Sequence, residues 1–130
     1  GSMFNTPPVF NIFAIRETLR WVQSKGGVEA MEKIAKERAD LLYSAIEESN
    51  MFVSPIVKED RSRMNIVFVM KDEYKDKEAD FIAFAAERNC VGIKGHRSVG
   101  GFRASAYNAS TMEDVQALVQ AMKDFEAKNA

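Results

Sequence analysis

The run Lys94-Gly95-His96-Arg97-Ser98-Val99-Gly100-Gly101-Phe102-Arg103-Ala104-Ser105 brings two arginines, the only histidine and three glycines into twelve residues. Glycine lets a backbone approach a ligand closely. Arginine grips a carboxylate or a phosphate with a planar fork of donors. These residue types at this spacing describe a site for a small molecule with anionic groups. Arg97 and Arg103 are separated by glycines, so they need not share one regular face and can serve two separate anions. His96 alone reads as a packed polar residue; beside Arg97 it becomes a phosphate partner.

Other polar points carry less. Asn5 and Thr6 precede a helix start, and locally they read as caps. Arg61-Ser62-Arg63 reads as a solvated or salt-bridged entry to a strand. Cys90 has no neighbouring base in sequence and reads as inert. Phe10, Phe13 and Trp21 read as core or interface. No nucleophile motif, P-loop or dinucleotide fingerprint is present.

The elements that must position these residues follow from periodicity. Pro7-Pro8 breaks the chain and suits a helix start. From Val9 to Lys25 the pattern is helical, with Ile12, Ile15, Leu19 and Val22 on one stripe and Phe10, Phe13, Ala14 and Trp21 on another. A helix apolar on two faces calls for partners on both. Gly26-Gly27 ends it. A second helix is predicted from about Val28 to Glu48, its core stripe made of Met31, Ile34, Ala35, Leu41, Leu42, Ala45 and Ile46. Asn50 to Pro55 reads as a turn, Ile56-Val57 as a short strand, and Met64 to Met70 as a buried strand.

Beyond a charged turn at Asp72 to Asp76, a helix over Asp80 to Arg88 turns Phe81, Ile82, Ala85 and Ala86 inward. Val91-Gly92-Ile93 reads as a short strand and Phe102 to Tyr107 as another. Ser110 to Glu113 has capping-box spacing. It opens a last helix that carries Met112, Val115, Leu118, Val119, Met122 and Phe125 and frays at its end. The order α-α-β-β-α-β-β-α predicts an α+β fold, a small and mainly antiparallel sheet with helices packed on one face.

Composition bounds the class. The 130 residues fit one domain with a core of its own. A formal net charge of −1 and the lack of a long basic block argue against nucleic acid as partner. A single cysteine excludes an internal disulfide and suits a reducing compartment. One cysteine and one histidine cannot form the usual zinc site, and no metal is expected. No apolar run is long enough for a bilayer, and no leader of signal-peptide type is read at the N-terminus. Gly1-Ser2 reads as the scar of a cleaved tag.

Five motifs occur in order: Asn5-Thr6-Pro7-Pro8, Gly26-Gly27-Val28-Glu29-Ala30-Met31, Arg61-Ser62-Arg63-Met64-Asn65, Lys94 to Gly101, and Arg103-Ala104-Ser105. Together they resemble the C-terminal part of the phosphoserine aminotransferases, a family of pyridoxal-phosphate-dependent class-V aminotransferases, over everything after Gly1-Ser2. Phe102, where many relatives carry Met, is a mild departure that stays apolar.

The resemblance implies the C-terminal small domain of a fold-type I transferase. Residues 28–130 would form that domain, and residues 3–27 a segment and helix that pack on a larger domain outside this chain. It implies that Arg103 holds the substrate α-carboxylate, and that His96 and Arg97 bind the substrate phosphate across a dimer interface. It also implies that Asn5 and Thr6 bind the cofactor phosphate of the neighbouring subunit, which replaces their local reading as caps. The parent would be a cytoplasmic homodimer that exchanges an amino group between glutamate and 3-phosphohydroxypyruvate in serine biosynthesis. Many bacterial relatives also act on the phosphohydroxythreonine analogue of the vitamin B6 pathway.

The Schiff-base lysine, the aspartate at the pyridine nitrogen and the stacking aromatic belong to the family's large domain. Their motifs are not found here, and Lys94 matches a position beside the phosphate pair. No catalytic residue is therefore expected in this chain, no covalently held pyridoxal 5'-phosphate, and no activity of the fragment alone. The competing reading is a stand-alone small-anion binding module. A purely structural dimerisation domain ranks last, since it leaves Arg97 and Arg103 without a task.

Overall fold

Helix α1 occupies Val9–Ser24, after the two prolines that cannot donate to a preceding turn. Its N-cap position is Pro8, and no side chain caps it. The computed structural model describes residues 4–129, so Gly1-Ser2 lies outside the described residues. None of the α1 side chains is buried; Phe10 is 79% and Leu19 58% exposed. Both apolar stripes exist, and neither is covered.

Helix α2 spans Gly27–Glu48, and β1 is Phe52–Val53. Strand β2 is Asn65–Met70, α3 is Glu78–Ala86, β3 is Phe102–Ser105 and α4 is Met112–Asn129. Two units make up the chain, residues 1–34 and 35–130. In the second, β1, β2 and β3 form one antiparallel sheet in that order. Phe52 lies opposite Met70, Val67 opposite Arg103, and Phe68 opposite Phe102.

Alternation sorts the sheet's two faces. Ile66, Phe68 and Met70 of β2 and Phe102 and Ala104 of β3 are buried, while Asn65, Arg103 and Ser105 are exposed. The buried face packs with Leu42 and Ile46 of α2, Phe81 and Ala85 of α3, and Val115, Leu118, Met122 and Phe125 of α4. This is the expected α+β layer arrangement. Its centre is aromatic: the rings of Phe68 and Phe102 stand 5.1 Å apart, Phe81 meets Phe102 edge-on at 5.1 Å, and Phe52 lies 4.8 Å from Phe81.

Several boundaries differ from the sequence reading, each for a local reason. Phe52 is in a strand because the Ser49 hydroxyl oxygen accepts the N–H groups of Met51 and Phe52 at 3.0 and 2.9 Å. That ends the turn early, and Glu126 of α4 accepts from the Ser49 hydroxyl at 2.6 Å to hold it there. Ile56-Val57 is not a strand. Pro55 has no N–H to give a ladder, the Ile56 N–H goes to the Ser54 hydroxyl, and its carbonyl accepts from Arg61 Nε. Val91 to Ile93 is not a strand either, because Gly92 sits at φ +74°; only the Ile93 carbonyl joins β3, accepting from Arg103 N–H at 2.7 Å.

In α3, Ala86 faces outward and Phe84 takes the half-buried place beside Phe125. The capping box of α4 forms one residue later than read: Thr111 N–H donates to Asp114 at 2.8 Å and Asp114 N–H to Thr111 Oγ1 at 3.2 Å. The end of α4 stays helical to Asn129, whose side chain bonds Phe125 and Lys77. Arg38 is fully buried on the core stripe of α2 between Ala35 and Leu42. It donates to the carbonyls of Tyr107 and Ser110 and so ties the turn after β3 to α2.

Two outcomes follow. Phe102→Ala should lower unfolding stability in urea by about 3–5 kcal/mol, whereas Phe102→Met should cost under about 1.5 kcal/mol. The open α1 should also make this chain self-associate, since full burial of each large side chain is worth roughly 1.5–3 kcal/mol. Sedimentation over a concentration series should show the mass rising, and Phe13→Glu or Leu19→Glu should bring it back toward the monomer.

Candidate functional site

The glycine-arginine run folds as a closed turn that delivers the chain into β3. Gly95 N–H donates to the Gly101 carbonyl at 2.8 Å and shuts the base. Inside it, Val99 N–H and Gly100 N–H both donate to the His96 carbonyl, at 2.9 and 2.8 Å. Lys94 bridges Phe102 across the entry. Glycine is required at both ends of the base. A Cβ on Gly95 would stand 2.1 Å from the Gly100 carbonyl oxygen, and Gly101, at φ +62°, would drive one to 2.6 Å from Val69 Cγ1.

The sequence-predicted residues are placed as follows. Arg103 follows Gly101 by two residues and lies on the sheet face opposite the core, across from Val67. His96 and Arg97 lie at the exposed tip of the turn. Arg97 and Arg103 form no ion pair and no side-chain hydrogen bond among the described residues. The turn and β3 thus join three of the five candidates in one continuous stretch. The other two, Asn5 and Thr6, belong to the first unit. They are exposed and precede Pro7-Pro8, with no capping bond to α1, so the local reading as caps does not hold.

One feature of the turn escaped the sequence reading. Ser98 contacts His96 Nδ1 twice, through Oγ at 2.7 Å and through its backbone N–H at 3.3 Å. The only signal was a serine two places after a histidine. Arg38 was also missed, although the spacing Ala35-Arg38-Leu42 already puts it on the buried stripe.

The remaining polar points are structural. Arg61 pairs with Glu47 at 2.6 Å and stacks 4.7 Å from the Tyr43 ring, which matches the salt-bridged strand entry. Hydrogen bonds from Arg61 and then Lys58 hold the Glu47 carboxyl below its usual value. Ser62 Oγ accepts from the N–H groups of Met64 and Asn65 and starts β2. Burial pushes the Cys90 thiol up, and Asp114 adds to it while Arg88 opposes it, so the reactive thiolate is disfavoured. No group of side chains suited to a metal ion occurs among the described residues. No helix among them is long and apolar enough to cross a membrane.

The chain as a whole has clear counterparts among known proteins. The family model described as Aminotransferase class-V matches residues 1–118, and the chain belongs to that family. The similar proteins within it are phosphoserine aminotransferases. That of Bacteroides fragilis is 60% identical over 97% of this chain, and that of Phocaeicola vulgatus 61% identical over 97%. Among solved structures, the phosphoserine aminotransferase of Bacillus circulans subsp. alkalophilus superposes with a TM-score of 0.91 at 39% identity, over 99% of this chain and 36% of that one. The phosphoserine aminotransferase of Trichomonas vaginalis, solved with PLP bound, gives 0.84 at 48% identity over 93% of this chain and 34% of that one. The chain spans about a third of the length of the curated relatives it matches, 36% for B. fragilis.

Gly95→Ala should open the turn, because all the atoms its Cβ would meet are backbone and cannot give way. The expected cost is about 1–3 kcal/mol of local strain. Amide spectra should show the resonances of residues 95–101 displaced, with those of Ile66 and Phe68 in the sheet unmoved.

Proposed function

We propose that this chain is the substrate-binding C-terminal part of a phosphoserine aminotransferase. The whole enzyme would transfer an amino group between glutamate and 3-phosphohydroxypyruvate, giving O-phosphoserine and 2-oxoglutarate. The observation that carries this reading is the pair of unpaired arginines, Arg103 on the open sheet face and Arg97 beside His96 on the glycine turn. Substrates with one α-carboxylate and one phosphate need two cationic holds of this kind. A stand-alone anion module gains no support, since relatives match this chain over nearly all of it as a third of a longer protein.

In this reading Arg103 takes the α-carboxylate in a two-point grip that orients the reacting carbon. Arg97 neutralises the phosphate and His96 adds one N–H donor to it. Asn5 and Thr6, whose amide and hydroxyl have no partner among the described residues, suit the phosphate of pyridoxal 5'-phosphate as donors, in the site of a neighbouring subunit. That cofactor, when bound in the whole enzyme, supplies the electron sink for amino transfer. This chain binds and orients, and its residues take no covalent part. The phosphate hold reaches across a homodimer in this scheme. Residues 3–27, with their uncovered α1, pack on the part of the enzyme outside this chain, and residues 28–130 form the small domain. A cytoplasmic setting goes with the single cysteine.

The division of labour is testable in the full-length enzyme. Arg103→Ala should weaken every amino-acid substrate, glutamate included, by about 2–5 kcal/mol in kcat/KM. His96→Ala and Arg97→Ala should weaken phosphoserine and leave the glutamate half-reaction nearly unchanged. Stopped-flow measurement of the two half-reactions checks this, and equal slowing of both by Arg97→Ala would sink the assignment.

A further inference from the structure

His96 is the only histidine, and its Nδ1 is met from two directions by one residue. The backbone N–H of Ser98 reaches Nδ1 at 3.3 Å, and Ser98 Oγ lies 2.7 Å from the same atom. A backbone amide can only donate, so Nδ1 must accept. The serine hydroxyl then also donates its proton to Nδ1, because a lone pair is all that Nδ1 has to offer. A proton on Nδ1 would meet the Ser98 N–H head on. When neutral, the ring is thereby held as the tautomer with its hydrogen on Nε2. Nε2 has no protein partner among the described residues, and the side chain is exposed.

The turn fixes the backbone of this arrangement. The His96 carbonyl accepts from Val99 and Gly100, and the Gly95–Gly101 bond closes the base, so the Ser98 backbone N–H stays beside His96 while the turn is closed. The histidine enters the anion site already oriented, with one donor outward. Hydrogen bonds that need no reorientation on binding contribute more of their strength to affinity.

We propose that Ser98 is a positioning residue of the phosphate hold: it fixes His96 as the Nε2–H tautomer and aims that single donor at the anion. The proposal rests on the reading of His96 and Arg97 as the phosphate hold, and two separate measurements keep the two apart.

The first concerns this chain alone. With one histidine, a nitrogen-15 spectrum of the imidazole is unambiguous. At about pH 8.5, roughly two units above imidazole's ordinary pKa, the bare and the hydrogen-bearing nitrogens resonate far apart. The expected wild-type pattern has the hydrogen on Nε2. Ser98→Ala, which loses the 2.7 Å hydroxyl contact and keeps only the long 3.3 Å backbone one, should weaken the hold on Nδ1 and raise the share of the Nδ1–H tautomer, and Ser98→Thr, which keeps both donors, should restore the wild-type pattern. A wild-type ring with its hydrogen on Nδ1, or a pattern unchanged in Ser98→Ala, overturns the positioning role whatever the enzyme does.

The second concerns the full-length enzyme. Ser98→Ala should raise KM for phosphoserine about three- to tenfold, the size of one weakened hydrogen bond, with the glutamate half-reaction within about twofold and Ser98→Thr close to wild type. Equal losses on both substrates would mean a damaged turn and overturn the proposal. If His96→Ala leaves phosphoserine unaffected, the phosphate reading itself fails, and the positioning role in that hold falls with it.

Discussion

Phe102 and Arg103 are adjacent in the chain and face opposite sides of the sheet. That pleat is the constraint on which the rest depends. Phe102 meets Phe52, Phe68 and Phe81 at the centre of the core, while Arg103 is turned outward opposite Val67. A slip of one residue against β2 would place the guanidinium among the phenylalanines and Phe102 in water. The aromatic cluster therefore does more than hold the helices to the sheet: it sets the register that keeps Arg103 on the open face.

The glycine turn is coupled to the same register. Gly101 lies against Val69 with no room for a side chain, which fastens the turn to β2 at the point where β3 begins. From there the Gly95–Gly101 bond closes the turn that carries His96 and Arg97 at its exposed tip. Placement of the proposed phosphate hold thus depends on backbone contacts rather than on the charges themselves.

Arg38 shows the opposite treatment of the same residue type. It is fully buried, and its Nη1 donates to the carbonyls of Tyr107 and Ser110, with no carboxylate partner among the described residues. Removing it would strand those carbonyls, so it acts as a tie between α2 and the turn that follows β3. Of three arginines, Arg38 is an internal tie while Arg97 and Arg103 are exposed, and neighbouring backbone decides which. Helix α1 adds a further asymmetry. Two apolar stripes with no buried side chain belong to a chain that spans about a third of its relatives' length.

The pattern of apolar residues alone was enough for α1, α2, the β2 strand, α3 and α4, because a 3.6-residue or a two-residue period survives whatever packs against it. Residue types and glycine spacing singled out Lys94 to Ser105 as the candidate anion site, and the five motifs together pointed to the family, which the comparisons show. Tertiary structure decided the rest. Phe52 became a strand because Ser49 and Glu126 ended the turn before it, and Ile56-Val57 lost its strand to Pro55 and to Arg61. The capping box settled on Thr111 and Asp114, and Asn5 and Thr6 were left without a capping role. Arg38 went inside although its type favours the surface. Ser98 acquired its hold on His96 only once the turn closed. In each case the deciding contact is a hydrogen bond between groups whose meeting depends on backbone conformation, and no periodicity along the chain records where such a bond will fall.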